Sequence, residues 1–376
     1  VTEPVVSPSI PPLLDPADAR RHLTKARRVI IKIGSRLLAT RPNLIPEMAA
    51  QIASPTHPKG RDFLLVSSGA IALGWPRLGY PKRPTAMAQL QASAAVGQSE
   101  LMLRYVTQFA THGKTVAQVL LTHSDLASRR RLLNAQQALD ELFAAGAVPI
   151  VNENDTVSTD EIAFGDNDQL ASMVCSLVSA DALFLLTDVD GVLDPNGERI
   201  PLMESESRIG DRPNSNSHGT GGIASKVAAA RKAARAGASV VIASAAEPDI
   251  VVRLLQGEDL GTLFTPDVKA LKARKHWIAY TLRPRGALLV NDGASTALRT
   301  GNGSLLPVGV VGVRGQFSTG EAVSICSLDG TEFGRGLTRL GVADIARIAG
   351  KTKEELTDKF AMPDAVVVHR DDLVIF

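Results

Sequence analysis

The sequence predicts an α/β protein, a three-layer αβα sandwich on a mainly parallel open sheet, followed by a small, mostly β domain. Three observations lead there. The 376 residues are about twice what one hydrophobic core organises. Short apolar runs alternate with stretches of helical spacing as far as about residue 257, the pattern of strand–helix–strand units. Beyond residue 281 the texture changes to short β-like runs divided by glycine.

Residues 1–27 are expected to be a disordered extension. Pro4, Pro8, Pro11, Pro12 and Pro16 discourage regular structure, while Glu3, Asp15, Asp18 and the lack of an apolar stretch argue against a targeting signal. From residue 28 to 265 the first domain is expected. Its buried strands are VIIKI (29–33), FLLVS (63–67), TVAQVLL (115–121), AVPIV (147–151), ALFLL (182–186) and SVVIA (239–243). One amphipathic helix runs from Ser128 as N-cap to Gly146 as C-cap, with Leu132, Leu139 and Phe143 on one side. Two more follow Asp168 and Gly222. Residues 266–282, basic and aromatic, read as a linker, with an exposed boundary at 281–285. Residues 283–376 form the second domain, with β-like runs around 287–290, 307–313 and 321–326, a helical stretch at 341–359, and runs at 366–369 and 373–376.

Bulk composition excludes several classes. Net charge is +2, and residues 283–376 carry 11 basic and 11 acidic side chains, so neither the chain nor its second domain has the basic footprint of nucleic-acid binding. No apolar run approaches the ~18 residues of a membrane span. The two cysteines, Cys175 and Cys326, have no metal-ligand spacing and suit a reducing, cytoplasmic setting. The histidines show no hydrolase or zinc pattern.

Four polar stations fall just past strand ends, where an open parallel sheet binds ligands. The first is Lys32-Ile33-Gly34-Ser35, a lysine and a tight turn suited to phosphate. The second is Ser67-Ser68-Gly69-Ala70, whose small residues let backbone N–H groups approach an anion. The third holds Asn152, Glu153, Asn154 and Asp155, then Asp160, Glu161, Asp166, Asn167 and Asp168. The fourth joins Thr187-Asp188 to Gly219-Thr220-Gly221-Gly222-Ile223-Ala224-Ser225-Lys226, glycines opening a helix with a lysine one turn in. The last run also fits a dinucleotide fingerprint, but a polar loop precedes it rather than a strand.

Taken together, KIGS (32–35), VSSGAIALG (66–74), AVGQSELM (95–102), VPIVNENDTV (148–157), FGDNDQLASMV (164–174), LLTDVDGVL (185–193) and GTGGIASKVAAA (219–230) resemble the amino acid kinase family. The VNEND and GDND pair is similar to its glutamate-phosphorylating branch, and residues 283–376 resemble a PUA domain. The resemblance implies ATP-dependent phosphorylation of the γ-carboxylate of L-glutamate, the first step of proline biosynthesis. Members acting on acetylglutamate, carbamate, uridylate or aspartate fit less well, because of that motif pair and the appended domain. Carried over by position, Lys32, Lys226 and Asp168 are the catalytic set. Ser68, Asp155 and Asn167 hold glutamate. Lys32, Thr187, Asp188, Thr220, Gly221, Gly222, Ile223, Ala224, Ser225 and Lys226 hold ATP, with Mg²⁺ on its phosphates. The resemblance also implies a homo-oligomer, inhibition by proline near Asp125 and Glu161, and hand-off to a glutamate-5-phosphate reductase. The chain departs from the family pattern in a short connection from Lys32 to Ser68 that carries Pro55 and Pro58, and in the Val-Leu-Asp after Gly191.

Overall fold

Every apolar run of the first domain becomes a strand. The computed structural model describes residues 16–158, 167–203, 222–266, 273–301, 303–360, 362 and 364–376. The strands are β1 (Arg28–Ile33), β2 (Asp62–Ser67), β3 (Val116–Leu121), β4 (Val148–Glu153), β5 (Ala182–Thr187), β6 (Leu202–Met203), β7 (Ser239–Ser244) and β8 (Thr262–Phe264). They form one sheet in the order β3-β4-β2-β1-β5-β7-β8-β6. Its pairings are parallel except that β8 runs antiparallel to β7.

Helices cover both faces, which is why the central strands are apolar without alternation. The helices are α1 (Pro16–Thr24), α2 (Ser35–Thr40), α3 (Leu44–Ile52), α4 (Ala70–Arg77), α5 (Met87–Ala110), α6 (His123–Ala127), α7 (Arg129–Ala144), α8 (Asn167–Leu177), α9 (Ile223–Arg235) and α10 (Ile250–Leu255). Along β1, Val29, Ile31 and Ile33 join the cluster under α1, α3, α5 and α10. Ile30 joins the opposite cluster, under α6 to α9. Lys32 shares the parity of Ile30, so it leaves the sheet toward α8 and α9. Gly74 and Gly97 let α4 cross α5 at backbone contact: a Cβ on Gly97 would stand 1.7 Å from the Ala70 carbonyl oxygen, and one on Gly74 1.8 Å from that of Ser93.

Three expectations need correction. Residues 16–24, assigned to a disordered extension, form α1, in which Ala19, Arg20 and Leu23 are buried. Arg20 donates to the carbonyls of Leu260 (2.9 Å) and Pro201 (3.0 Å) and pairs with Asp259 at 2.9 Å. A proline is tolerated in the first helical turn, so Pro16 opens this helix rather than preventing it. The run 115–121, read as buried, is the edge strand β3, with Leu121 its one buried residue. The supposed linker continues as α11 (Ala273–His276) and a π-helical turn at Trp277–Thr281. Trp277, Ile278, Ala279 and Thr281 are buried there, so of the boundary expected at 281–285 Thr281 and Leu282 are buried, while Arg283 and Arg285 are exposed. Trp277 Nε1 donates to the Leu126 carbonyl at 2.7 Å. A mixed basic and aromatic segment has no periodicity from which such docking can be read.

The second domain is a five-stranded sheet in the order β10-β9-β11-β12-β13. Its strands are β9 (Gly286–Val290), β10 (Val310–Gly315), β11 (Ala322–Cys326), β12 (Glu332–Thr338) and β13 (Val368–Ile375). Helices α12 (Asp292–Thr300), α13 (Val342–Ile348) and α14 (Lys353–Phe360) complete it around Leu288, Val290, Val323, Ile325 and Ile345. The runs at 366–369 and 373–376 are parts of one strand, and the single helical stretch at 341–359 is two helices. The residue pattern gives no sign of β12, whose two interior glycines weaken its β propensity. The domains meet at the π-helical turn, where Arg335 donates to the Ala279 carbonyl at 2.8 Å. No described helix is long and apolar enough to cross a membrane.

Candidate active site

Three elements that lie far apart in sequence bring their charges to one point. Lys32 comes from the C-terminal end of β1, Asp168 from the first turn of α8, and Lys226 from the first turn of α9. Lys32 Nζ lies 2.6 Å from Asp168 Oδ1, and Lys226 Nζ lies 2.8 Å from Oδ2. The carboxylate is fully enclosed, and the two lysine side chains are only 6 % and 10 % exposed. Burial alone would raise the Asp168 pKa. The fields of Lys32 and Lys226 outweigh it and hold the carboxyl below its ordinary range. The result is two preorganised cations on a fixed anionic hinge, with one excess positive charge at the C-terminal end of β1.

A polar network adjoins this triad. Asn167 Nδ2 reaches the Ser67 carbonyl at 2.6 Å, Ser68 Oγ at 2.7 Å and Asn152 Oδ1 at 2.9 Å. Asn152 in turn donates to Gln98 Oε1 at 2.8 Å, and Gln98 to Gln118 Oε1 at 3.3 Å. A connected network of polar groups around a buried amide rigidifies what it holds, with the two side-chain N–H bonds of Asn167 shared among three acceptors. Here it fixes the turn Ser67-Ser68-Gly69, whose glycine takes φ +103° and so opens α4 from a left-handed conformation. Asp155 follows β4 in a half-buried turn. Burial pushes its carboxyl up to about 6, and the field of Arg83 offsets only part of that. A cationic ligand group there would restore the charge.

On the other side of the triad, Thr187 ends β5 and donates to Asp188 Oδ1 at 3.2 Å. Asp188 Oδ2 accepts from Arg36 at 3.0 Å. Burial raises the Asp188 pKa, but these bonds prevail and keep it low. Gly222 caps α9, and Ile223, Ala224 and Ser225 make its first turn, where the Ser225 and Lys226 N–H groups donate to the Gly222 carbonyl at 3.1 and 3.3 Å; the positive end of the helix dipole therefore lies beside Lys226.

The model of the amino acid kinase family matches residues 27–244. The chain belongs to the amino acid kinase family. The PUA domain model matches residues 286–360. The chain is 46 % identical to glutamate 5-kinase of Chromohalobacter salexigens, over 95 % of this chain and 98 % of that protein. It is 43 % identical to glutamate 5-kinase of Geobacter metallireducens, over 94 % and 98 %. It is 45 % identical to glutamate 5-kinase of an Azoarcus species, over 95 % and 100 %.

Of the residues that the sequence singles out, the fold brings Lys32, Asp168 and Lys226 into direct contact. Asn167 bonds to Ser68, and Thr187 and Asp188 sit on the neighbouring strand end. Asp155 lies two residues past the end of β4, the strand that carries Asn152. Thr220, Gly221, Asp160, Glu161 and Asp166 lie outside the described residues. Asp125, expected near the substrate, caps α6 through Thr122 and pairs with Arg131 at 3.0 Å. Sequence reasoning assigns no role to Asn152, Gln98 or Arg36. Gln98 did leave a signal: a polar residue on the helix face that also carries Ala94 and Leu101, both buried. Arg36 leaves none, since an arginine after a glycine turn is ordinary surface composition.

Proposed function

We propose that this chain is a glutamate 5-kinase, transferring the γ-phosphoryl group of ATP to the γ-carboxylate of L-glutamate. The observation that carries the reading is the Lys32–Asp168–Lys226 triad at the C-terminal end of the central strand β1. An oxygen of the γ-carboxylate attacks Pγ in line, the bond from Pγ to the β,γ-bridging oxygen breaks, and ADP leaves. The products are L-glutamyl 5-phosphate and ADP. A carboxylate with an ordinary pKa near 4.3 is already ionised at neutral pH, so the step needs no general base. Catalysis then rests on positioning and on cations that meet the charge of the phosphoryl group in flight. Lys32 and Lys226 supply those cations, and Asp168 sets their spacing.

Ser68 and Asn167 would take the substrate's carboxylate, and Asp155 its ammonium. Thr187, Asp188 and the segment from Thr220 to Lys226 would hold the nucleotide. The donor set suits ATP that carries its own Mg²⁺ rather than a resident ion, because both Asp168 oxygens are already within 2.8 Å of ammonium nitrogens. When bound, Mg²⁺ neutralises the β- and γ-phosphates. In this reading the protein works in the cytoplasm as a homo-oligomer, proline competes for the glutamate pocket, and the labile acyl phosphate passes to a reductase. The boundaries that go with it are a kinase domain over 28–265 and a PUA-like domain over 283–376.

The test is purified protein with ATP, L-glutamate and hydroxylamine. Glutamyl hydroxamate should accumulate with stoichiometric ADP, and millimolar proline should suppress it in competition with glutamate. ADP release with another acceptor, and none with glutamate, would overturn the assignment.

A further inference from the structure

Arg36 occupies a position that the triad and the substrate network leave unexplained. It is the second residue of α2, carried by the same turn that follows Lys32. β1 and β5 are neighbouring parallel strands, with Ile33 opposite Leu186. Their C-terminal extensions run side by side, and Arg36 bridges them by donating to Asp188 Oδ2 at 3.0 Å. The two side chains are 51 % and 50 % exposed. Such a pair is screened by solvent and holds its members weakly. It is therefore a poor structural staple, and an exchangeable one.

We propose that Arg36 is a nucleotide-binding residue, whose guanidinium turns from Asp188 to the polyphosphate when a nucleoside triphosphate lies across the ends of β1 and β5. The inference rests on the kinase reading above and extends it to a side chain outside the triad. A polyphosphate carries several negative charges and paired oxygens. A planar guanidinium meets these in bidentate fashion, so the phosphate wins the exchange with a single exposed carboxylate. The buried lysines are already committed to Asp168 and stay near it, whereas Arg36 has the reach and the exposure to follow the phosphates. The exchange also frees Asp188 to accept from a hydroxyl of the nucleotide.

Calorimetric titration of the full-length protein with ADP and with adenosine separates a phosphate contact from a structural effect. Arg36→Ala should weaken ADP binding about tenfold or more, the loss of one charge-assisted contact. Adenosine binding should stay within about twofold, and the KM for glutamate should hold while that for ATP rises in step with the ADP Kd. Arg36→Lys should recover part of the loss. If Arg36→Ala does not fold, Arg36→Gln carries the same comparison. ADP binding within about twofold of wild type in a folded variant would overturn the proposal, and so would equal losses for ADP and adenosine, which mean that Arg36 only supports the strand end. Wild-type protein that binds no ADP would sink the kinase reading as well. Normal ADP binding by both proteins sinks the role of Arg36 alone.

Discussion

Replacing Asp168 with Asn keeps the shape of the side chain and removes the charge between two lysines. In the free protein, Lys32 and Lys226 would then stand beside a neutral amide, each having lost a carboxylate oxygen 2.6 or 2.8 Å away. Breaking a buried pair costs about 3–5 kcal/mol, and the remaining amide oxygen can still accept from one ammonium, so about 3 kcal/mol is expected. The sign of the pH dependence follows from the lowered Asp168 pKa. A carboxylate whose folded pKa lies below its unfolded value adds stability that is full above about pH 4 and fades as pH falls through the folded value. The stability gap between wild type and Asp168→Asn should therefore be constant near neutrality and close below about pH 4. Catalysis should fall by roughly 10²-fold or more in kcat, since both cations lose their fixed spacing. Added ADP should narrow the thermal-stability gap, because phosphate oxygens take over the role of the missing carboxylate. Denaturant unfolding from pH 3 to 8 and the hydroxamate assay measure these effects. A variant with kcat near wild type would refute the idea that Asp168 sets the spacing of the lysines. A stability gap that persists unchanged at pH 3 would refute its charge as the source of the stabilisation.

Lys226→Met and Lys32→Met should each lower kcat about 10²-fold while the KM for glutamate moves little, as steady-state kinetics in both substrates would reveal. Asp155→Asn should weaken glutamate binding about tenfold or more, measured as KM, yet raise the unfolding midpoint of the free protein at pH 7.5. The second effect follows from the Asp155 pKa of about 6, raised by burial: the folded state binds the extra proton below that pH, so ionisation above it costs stability that Asn does not incur. A chain ending near Leu282 should still make glutamyl hydroxamate, with a lower unfolding midpoint from loss of the Arg335 bond to Ala279 and the Tyr280–Phe376 contact. A soluble, folded truncation that binds ATP but makes no acyl phosphate would show that the second domain completes the site.

Much of the fold was legible because local chemistry and tertiary role coincide. A central strand of a doubly covered sheet must be apolar on both faces, so runs such as ALFLL announce themselves wherever they pair. A ligand site at strand ends needs polar and glycine residues directly after such runs, which is where KIGS, VNEND and LLTD stand. Other features were hidden, because a contact across the fold is not written into either partner. Arg20 sits in a proline-rich, basic segment, and only the carbonyls of Pro201 and Leu260 around it explain its burial. Trp277 is buried because Leu126 offers a carbonyl 151 residues away in sequence.

The sequence by itself determined six strands of the first sheet, the change of texture past residue 281 and the residue types at the strand ends, since each depends on burial or turn chemistry within a few neighbouring residues. Only the tertiary structure decided that Lys32 and Lys226 share one carboxylate, that Asn167 ties Ser68 to Asn152, and that Arg36 faces Asp188. Those pairings depend on strand order and on the parity of each side chain. Here β5 lies beside β1, and α8 and α9 pack on the face toward which Lys32 points. No window of sequence contains that information, because the charges that meet come from residues 32, 168 and 226 and become neighbours only when the sheet is assembled.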